Sequence, residues 1–464
     1  MKKIFIVSIS ILILSGITIT SAWVYPEHRD IFLLAIQKLS PDYRSTLDAL
    51  WAEARIGYEF RLTESVIDAT QTTQPTHLDY ASFPAIGGDH STSAKNMLDI
   101  ILQSEWIMDV ADITARLKID LQSSTDRNMR VNALRNSDIR LQTSDPDYAT
   151  RAGHNHVHFL LSLENESESR EEYAYECIKE GSQLNALGVY LWYHNLALKK
   201  MNKLSSEKLS QTERSALILA ALADEAFGLH FLEDVFAAGH AAGTWGDASQ
   251  QKGTHDFYNE HGLKTTTWSG KNIVLTGDAW MRDEDAEFAA NVIRLSLEQL
   301  LDASRGKINV KLYDDELLKS APENFDISKN EFMPSQKYDN KFVEMLKPIL
   351  YDTPIPGLNQ GLGELPRFRA ELGTFFGFSP SLRGAVINGG FGSEQKTLGV
   401  IGGLEGSIRF GLGLDGILNE ASDGLVFLDV GWRQDGSSSV GIIAEQGTEN
   451  YGALLSAIPG RSAF

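Results

Sequence analysis

From Pro26 to about Leu350, apolar residues recur at intervals of three and four, the repeat that lines up one face of a 3.6-residue helix. The pattern predicts helices over 31–39, 43–54, 94–117, 171–204, 211–236 and 283–303, and so a mainly α fold for this part of the chain. Polar or Gly/Pro-containing stretches at 71–90 and 125–154 read as loops, where sites on a helical scaffold usually open. After Pro354-Ile355-Pro356-Gly357 the texture changes, and over half of the 39 glycines lie beyond that point among short apolar runs such as 398–401 and 424–430. Residues 407–414 alternate at period two with glycine interruptions, which predicts twisted or bulged strands. The expectation is therefore an all-α domain over 23–350 followed by a smaller Gly-rich β domain over 355–464. The closing segment 456–464 follows a strand-like run with no obvious finish, which leaves open an incomplete reading frame or a chain that ends on an edge strand.

The first residues carry a different signal. Lys2 and Lys3 precede an apolar run over 4–19 and a small-residue exit at Ser21-Ala22, the layout of a cleaved export signal. The apolar run is shorter than the ~20 residues that span a bilayer, so residues 1–22 are read as a signal peptide and the mature chain as secreted or periplasmic. Cys177 is the only cysteine, which excludes an intrachain disulfide and leaves packing or metal to hold an exported protein of this size. The formal net charge of -20 provides no basic field for gathering polyanions, and so argues against long nucleic acid as a substrate.

Metal is also what the helical pattern points to. His230 and Asp234 stand at i and i+4 in an apolar helical run, so an imidazole and a carboxylate share one face and can close on one cation. His240 would lie about 120° away on a helix that turns roughly 100° per residue, which suits a second, neighbouring cation. Cleavage after Ala22 would expose an α-amine on Trp23, five residues before His28. With a reference pKa of about 7.7–8.0, such an amine yields its proton to a metal more readily than a lysine does, and amine and carbonyl of one residue can chelate.

These residues resemble the zinc-dependent phospholipase C / P1 nuclease superfamily. Its members begin at a tryptophan exposed by signal removal and carry His-x3-Asp-x5-His, as here at Trp23 and at His230, Asp234 and His240. The spacing from Trp23 to His28 is similar to that of the nuclease branch. The segments Gly87-Gly88-Asp89-His90-Ser91, Asn155-His156-Val157-His158-Phe159, 184–194 and 254–262 resemble instead the larger Gram-negative phosphatidylcholine-hydrolysing phospholipases C. The resemblance runs from Trp23 to about Ile308.

Carried over by position, the resemblance implies three zinc ions. The first would take Asp89, His158, His230 and Asp234; the second His240, His255 and a side chain one helical turn later; the third the Trp23 amine and carbonyl, His28 and the bridging Asp234. Where the family has Asp or Glu four residues after His255, this chain has Asn259, a neutral and poorer oxygen donor, with Asp256 and Glu260 beside it. His77, His194 and His261 keep ordinary readings as loop, helix-packing and outer-neighbour residues. His90 is read as a surface or outer-neighbour residue and Glu225 as a solvated or outer carboxylate.

Paired cations suit phosphate-ester hydrolysis because they bind phosphoryl oxygens, acidify a water and neutralise charge on the leaving oxygen. The expected function is a phospholipase C that acts on phosphatidylcholine-type phospholipids at a membrane surface, with Asp89 orienting the attacking water as ligand or base. Nucleic acid is not the substrate in this reading. A single-strand nuclease on the same site is the alternative enzyme; it would need aromatic rings for base stacking, for which Trp51, Tyr58 and Phe60 are candidates. A third reading makes the β region an envelope- or membrane-binding module.

Overall fold

The computed structural model describes residues 23–70, 73–145, 147–148, 155–161, 163, 167–242, 255–308, 325–330, 332–334 and 340–356, together with strand backbone at 368–369, 374–383, 399–419, 422–433, 438–447 and 455–456. The export signal expected at 1–22 lies outside the described residues. The chain is mainly helical.

The helix Gln211–Asp234 organises the fold. It starts at a reciprocal cap in which Ser210 Oγ accepts the Glu213 N–H at 3.3 Å and the Glu213 carboxylate accepts the Ser210 N–H at 2.9 Å. Every residue from Ala221 to Asp234 is buried, so this C-terminal part of the helix has no solvent face and is held by tertiary packing on all sides. It is the one helix among the described residues long and apolar enough to cross a membrane, and it is instead enclosed by protein. Ala186–Ser206 packs along it as the other arm of a helical hairpin, with Tyr25–Gln37, Pro41–Ala54, Ser82–Ile86, Ala94–Gln103 and Asp283–Ser304 around the remaining faces. Gly228 allows the hairpin arms to close: a Cβ there would stand 3.1 Å from Tyr193 Cβ and 3.2 Å from the Tyr190 carbonyl. His230, Glu233 and Asp234 occupy the last turn of this helix and are fully buried, so polar chemistry sits at the end of an apolar rod.

Several boundaries differ from the periodicity. The 94–117 pattern is two helices, Ala94–Gln103 and Trp106–Ser123, because Ser104 is extended at ψ 135°. The 171–204 pattern also divides, into Arg170–Ile178 and Ala186–Ser206, with Gly181 at φ +81° and Asn185 capping the second helix. The stretch read as a loop over 125–154 contains the helix Arg127–Ser144, which buries only Ala133, Ser137 and Leu141. A stripe one residue wide escapes a search for apolar threes and fours, but Asp126 caps it by accepting the Met129 N–H at 3.0 Å. Leu263–Thr266 and Asn272–Leu275 form an antiparallel hairpin too short and polar to stand out in the sequence.

Glu225, read as solvated or as an outer neighbour, is fully buried instead. Its carboxylate meets His194 Nδ1 at 2.7 Å and accepts the Ser296 hydroxyl at 2.6 Å, tying three helices together away from solvent. Cys177 is also buried, and burial pushes its thiol far above the ordinary range. Beyond 356, the described strands are antiparallel: Gly399–Asn419 pairs with Ser422–Arg433, which pairs with Ser438–Gly447 and then Leu455–Ser456. Phe368–Arg369 and Thr374–Arg383 both pair with Gly399–Asn419, the latter with a register shift between Pro380 and Leu382.

Candidate metal centre

Asp234 is the hub of a buried cluster. Its Oδ2 lies 2.6 Å from His158 Nδ1 and 3.4 Å from His230 Nε2, while its Oδ1 faces His28 Nε2 at 3.5 Å. His230 Nε2 and His158 Nδ1 are themselves 3.2 Å apart. Two donors on one tetrahedral zinc at ~2.0–2.1 Å stand about 3.4 Å apart, so most of these separations are those of ligands that converge on a cation. Two sets of three could hold a metal ion, His28 with His230 and Asp234, and Asp89 with His158 and His230, each with one donor atom per residue within 4.8 Å of the others.

Two of these imidazoles are aimed by a neighbour. His230 Nδ1 donates to the Pro84 carbonyl at 2.9 Å, which leaves Nε2 as the lone-pair nitrogen facing Asp234 and His158. His28 Nδ1 meets Glu233 Oε2 at 2.6 Å, which turns its Nε2 toward Asp234. Trp23 is fully buried, and its indole N–H donates to the Glu233 carbonyl at 2.9 Å, so the first described residue is anchored one residue from Asp234. Asp89 follows Gly88, which turns at φ +60° so closely under the cluster that a Cβ would fall 2.2 Å from His230 Nε2.

A second group adjoins the first. The rings of His28 and His230 stack at 4.2 Å, His230 and His158 lie 5.0 Å apart, His158 and His240 5.9 Å, and His240 and His255 5.1 Å. Five imidazoles thus form one continuous row. Gly239 presses against the last of them, since a Cβ there would sit 2.3 Å from the His255 ring. Asn259, expected as the oxygen donor of this group, spends its amide oxygen on the Gly239 N–H at 2.7 Å. Its amide nitrogen donates to Asp278 Oδ2 at 2.6 Å, and that same oxygen lies 3.6 Å from His255 Nδ1. Glu260 is drawn away to Arg127 at 2.6 Å, and the side chain of Asp256 lies outside the described residues.

The electrostatics fit a cation. Burial, reinforced by the neighbouring imidazoles, holds His28, His230 and His240 well below the ordinary histidine range, and burial brings His158 to about 4 against the opposing charge of Asp89, so all four present neutral, ligating nitrogens at neutral pH. Burial also drives Asp234 and Glu233 well above the carboxylate range, the second further raised by the first, and no Lys or Arg pairs with either among the described ion pairs. A bound divalent cation reverses that cost. His28 Nε2, Asp234 Oδ1 and both ring nitrogens of His240 are buried without a hydrogen-bond partner of normal geometry among the described residues. Buried polar atoms are almost always satisfied, so orphans gathered in one place are donors that could hold a metal ion.

The expected ligands Trp23, His28, Asp89, His158, His230, Asp234, His240, His255 and Asn259 all fall in or beside this row of imidazoles. His261 instead stays exposed on the Phe257 carbonyl, and His90 is buried against Asp145 at 2.9 Å rather than at the surface. Sequence reasoning missed Glu233 and Asp278. A second acid beside Asp234 in an apolar helix was a legible sign for Glu233; nothing local marks Asp278, which arrives after the hairpin. Comparison with protein-family models, with curated proteins and with solved structures finds no match to this chain.

Proposed function

We propose that this chain is a zinc-dependent phosphodiesterase, namely a phospholipase C that releases diacylglycerol and a phosphorylated headgroup from phosphatidylcholine-type lipids. The observation that carries the reading is the division of Asp234 between two sets of donors, His158 and His230 through Oδ2 and His28 through Oδ1. A carboxylate addressed from both sides suits a bridge between two cations, and paired cations are the usual solution to phosphodiester hydrolysis. His158, His230, Asp89 and Asp234 would hold one zinc, and His28, Asp234 and the Trp23 amine and carbonyl a second. His240 and His255 would hold the third.

Zinc at these donors supplies Lewis acidity toward phosphoryl oxygens and acidifies a water. Asp89 is only half-buried, in contrast to His158, His230 and Asp234, which supports reading it as the carboxylate that would orient an entering water, as ligand or as base. No nucleophilic side chain is required, and the only cysteine is buried with a raised pKa. In this reading the export signal at 1–22 frees the Trp23 amine, residues 23–350 form the catalytic domain, and 355–464 a separate β domain. The mature protein works in the periplasm or outside the cell.

The nuclease alternative is favoured by the Trp23 to His28 spacing. It is weakened by Trp51, which is buried among Tyr80 and Phe83 and cannot stack on a base, although Tyr58 and Phe60 remain exposed. The net charge of -20 also repels a polyanion more than a zwitterionic headgroup. The discriminating experiment compares phosphocholine release from phosphatidylcholine vesicles with nucleotide release from single-stranded DNA, using a chain that starts at Trp23. Headgroup release should be the faster; the reverse order would transfer the site to the nuclease reading.

A further inference from the structure

We infer that Asp278, rather than Asn259, is the oxygen ligand of the metal bound by His240 and His255, an inference that rests on the proposed zinc chemistry and specifies its least regular site. The amide of Asn259 is oriented from both ends. Its oxygen must be the atom that accepts the Gly239 N–H at 2.7 Å, and its nitrogen the atom that donates to Asp278 Oδ2 at 2.6 Å. The atom it turns toward His255 is therefore the NH2 group, 3.3 Å from the ring nitrogens, and an amide NH2 is no ligand. Asp278 does bring a carboxylate oxygen toward His255, at 3.6 Å from Nδ1, close to the spacing of two donors on one zinc. His240 supplies an independent observation, because it is fully buried and neither ring nitrogen has a partner of normal geometry among the described residues, as suits donors that could hold a cation.

The backbone around Asp278 is built to deliver it. Asp278 and Ala279 are consecutive non-glycine residues with φ of +32° and +63°, an arrangement that persists only where surrounding contacts impose it. Those contacts are present. The carboxylate of Glu27 accepts the N–H groups of Ala279 at 2.9 Å and Met281 at 3.2 Å, and Arg130 donates to the Ala279 carbonyl. Gly277 lies against Asn259, where a Cβ would stand 2.1 Å from the amide oxygen. Glu27 neighbours His28, so the turn that carries Asp278 is clamped to the helix that carries a ligand proposed for a different zinc. Asn259 then acts as a spacer that holds Gly239, beside His240, and Asp278 at fixed positions.

The test is the zinc content of Asp278→Asn, a substitution that keeps shape and tolerance of positive φ but removes the charge. Elemental analysis should find one zinc fewer per chain than in the unmodified protein, and chelator competition should show the remaining ions undisturbed. His255→Ala should lose the same single ion, and the double variant no more than either. A ligand role also predicts an unchanged melting temperature for the metal-free variant, with only the zinc-dependent increment reduced. Full zinc content at unchanged affinity in Asp278→Asn would overturn the assignment. Loss of the fold in its metal-free form would also overturn it, by showing a structural role. If the unmodified protein binds no zinc at all, the proposed function itself falls; if it binds zinc normally and only Asp278→Asn is silent, this assignment alone does.

Discussion

Asp234→Asn should strip the protein of two zinc ions per chain and reduce headgroup release by on the order of 10³-fold or more, an effect larger than loss of any single-metal ligand. The reason is the geometry of one carboxylate. Oδ2 serves His158 and His230 while Oδ1 serves His28, so a neutral amide in its place takes charge from both cations and offers an NH2 group to one of them. Even residues that only orient metal ligands are worth about 10–100-fold in metal affinity, and a shared ligand is worth more. The metal-free fold should survive, since burial already drives Asp234 well above the carboxylate range and a neutral residue there needs no countercharge. Elemental analysis, headgroup release and a melt of the metal-free variant together check the claim. Near-normal zinc content and turnover would place the bridge elsewhere.

Gly88→Ala should be nearly as damaging, although glycine has no chemistry of its own. A Cβ at this position would fall 2.2 Å from His230 Nε2, 2.4 Å from its Cδ2 and 2.7 Å from His158 Cε1, so the methyl group occupies the space into which the imidazoles point. Gly57→Ala is the internal control. Gly57 has φ +87° with nothing within 4 Å of an added Cβ, so its substitution measures the backbone cost alone, about 1–2 kcal/mol, and should leave zinc content and turnover unchanged. Gly88→Ala, at φ +60°, should incur a similar backbone cost and in addition lose zinc. Equal zinc content in the two variants would show that Gly88 is an ordinary turn residue and that the imidazoles converge on nothing.

What was legible in the sequence follows from range. The helix Gln211–Asp234 and the pair His230 and Asp234 on it could be read because helical spacing alone places them on one face. The same periodicity found Pro41–Ala54 and Asp283–Ser304 nearly to the residue. It overran the breaks at Ser104 and Gly181, where a change of backbone conformation costs too little apolar pattern to be noticed. It passed over Arg127–Ser144, whose buried stripe is one residue wide. The convergence of Asp89, His158 and His28 on the end of the central helix is long-range, and only the family resemblance suggested it before the fold brought the side chains together. Asp278 had neither aid. Its place beside His255 depends on the turn after the hairpin and on Glu27, more than two hundred residues earlier in the chain.

Metal dependence is the central claim, and one measurement addresses it without reference to substrate preference: the zinc content of the purified chain beginning at Trp23, followed through chelation and zinc replacement together with its melting temperature and its phosphodiesterase activity. The expected result is bound zinc, with chelation lowering the melting temperature and abolishing hydrolysis, and added zinc restoring both. A preparation that hydrolyses its phosphodiester at full rate with no metal, or that melts unchanged after complete chelation, would contradict the assignment of the buried histidines and Asp234 as a metal centre.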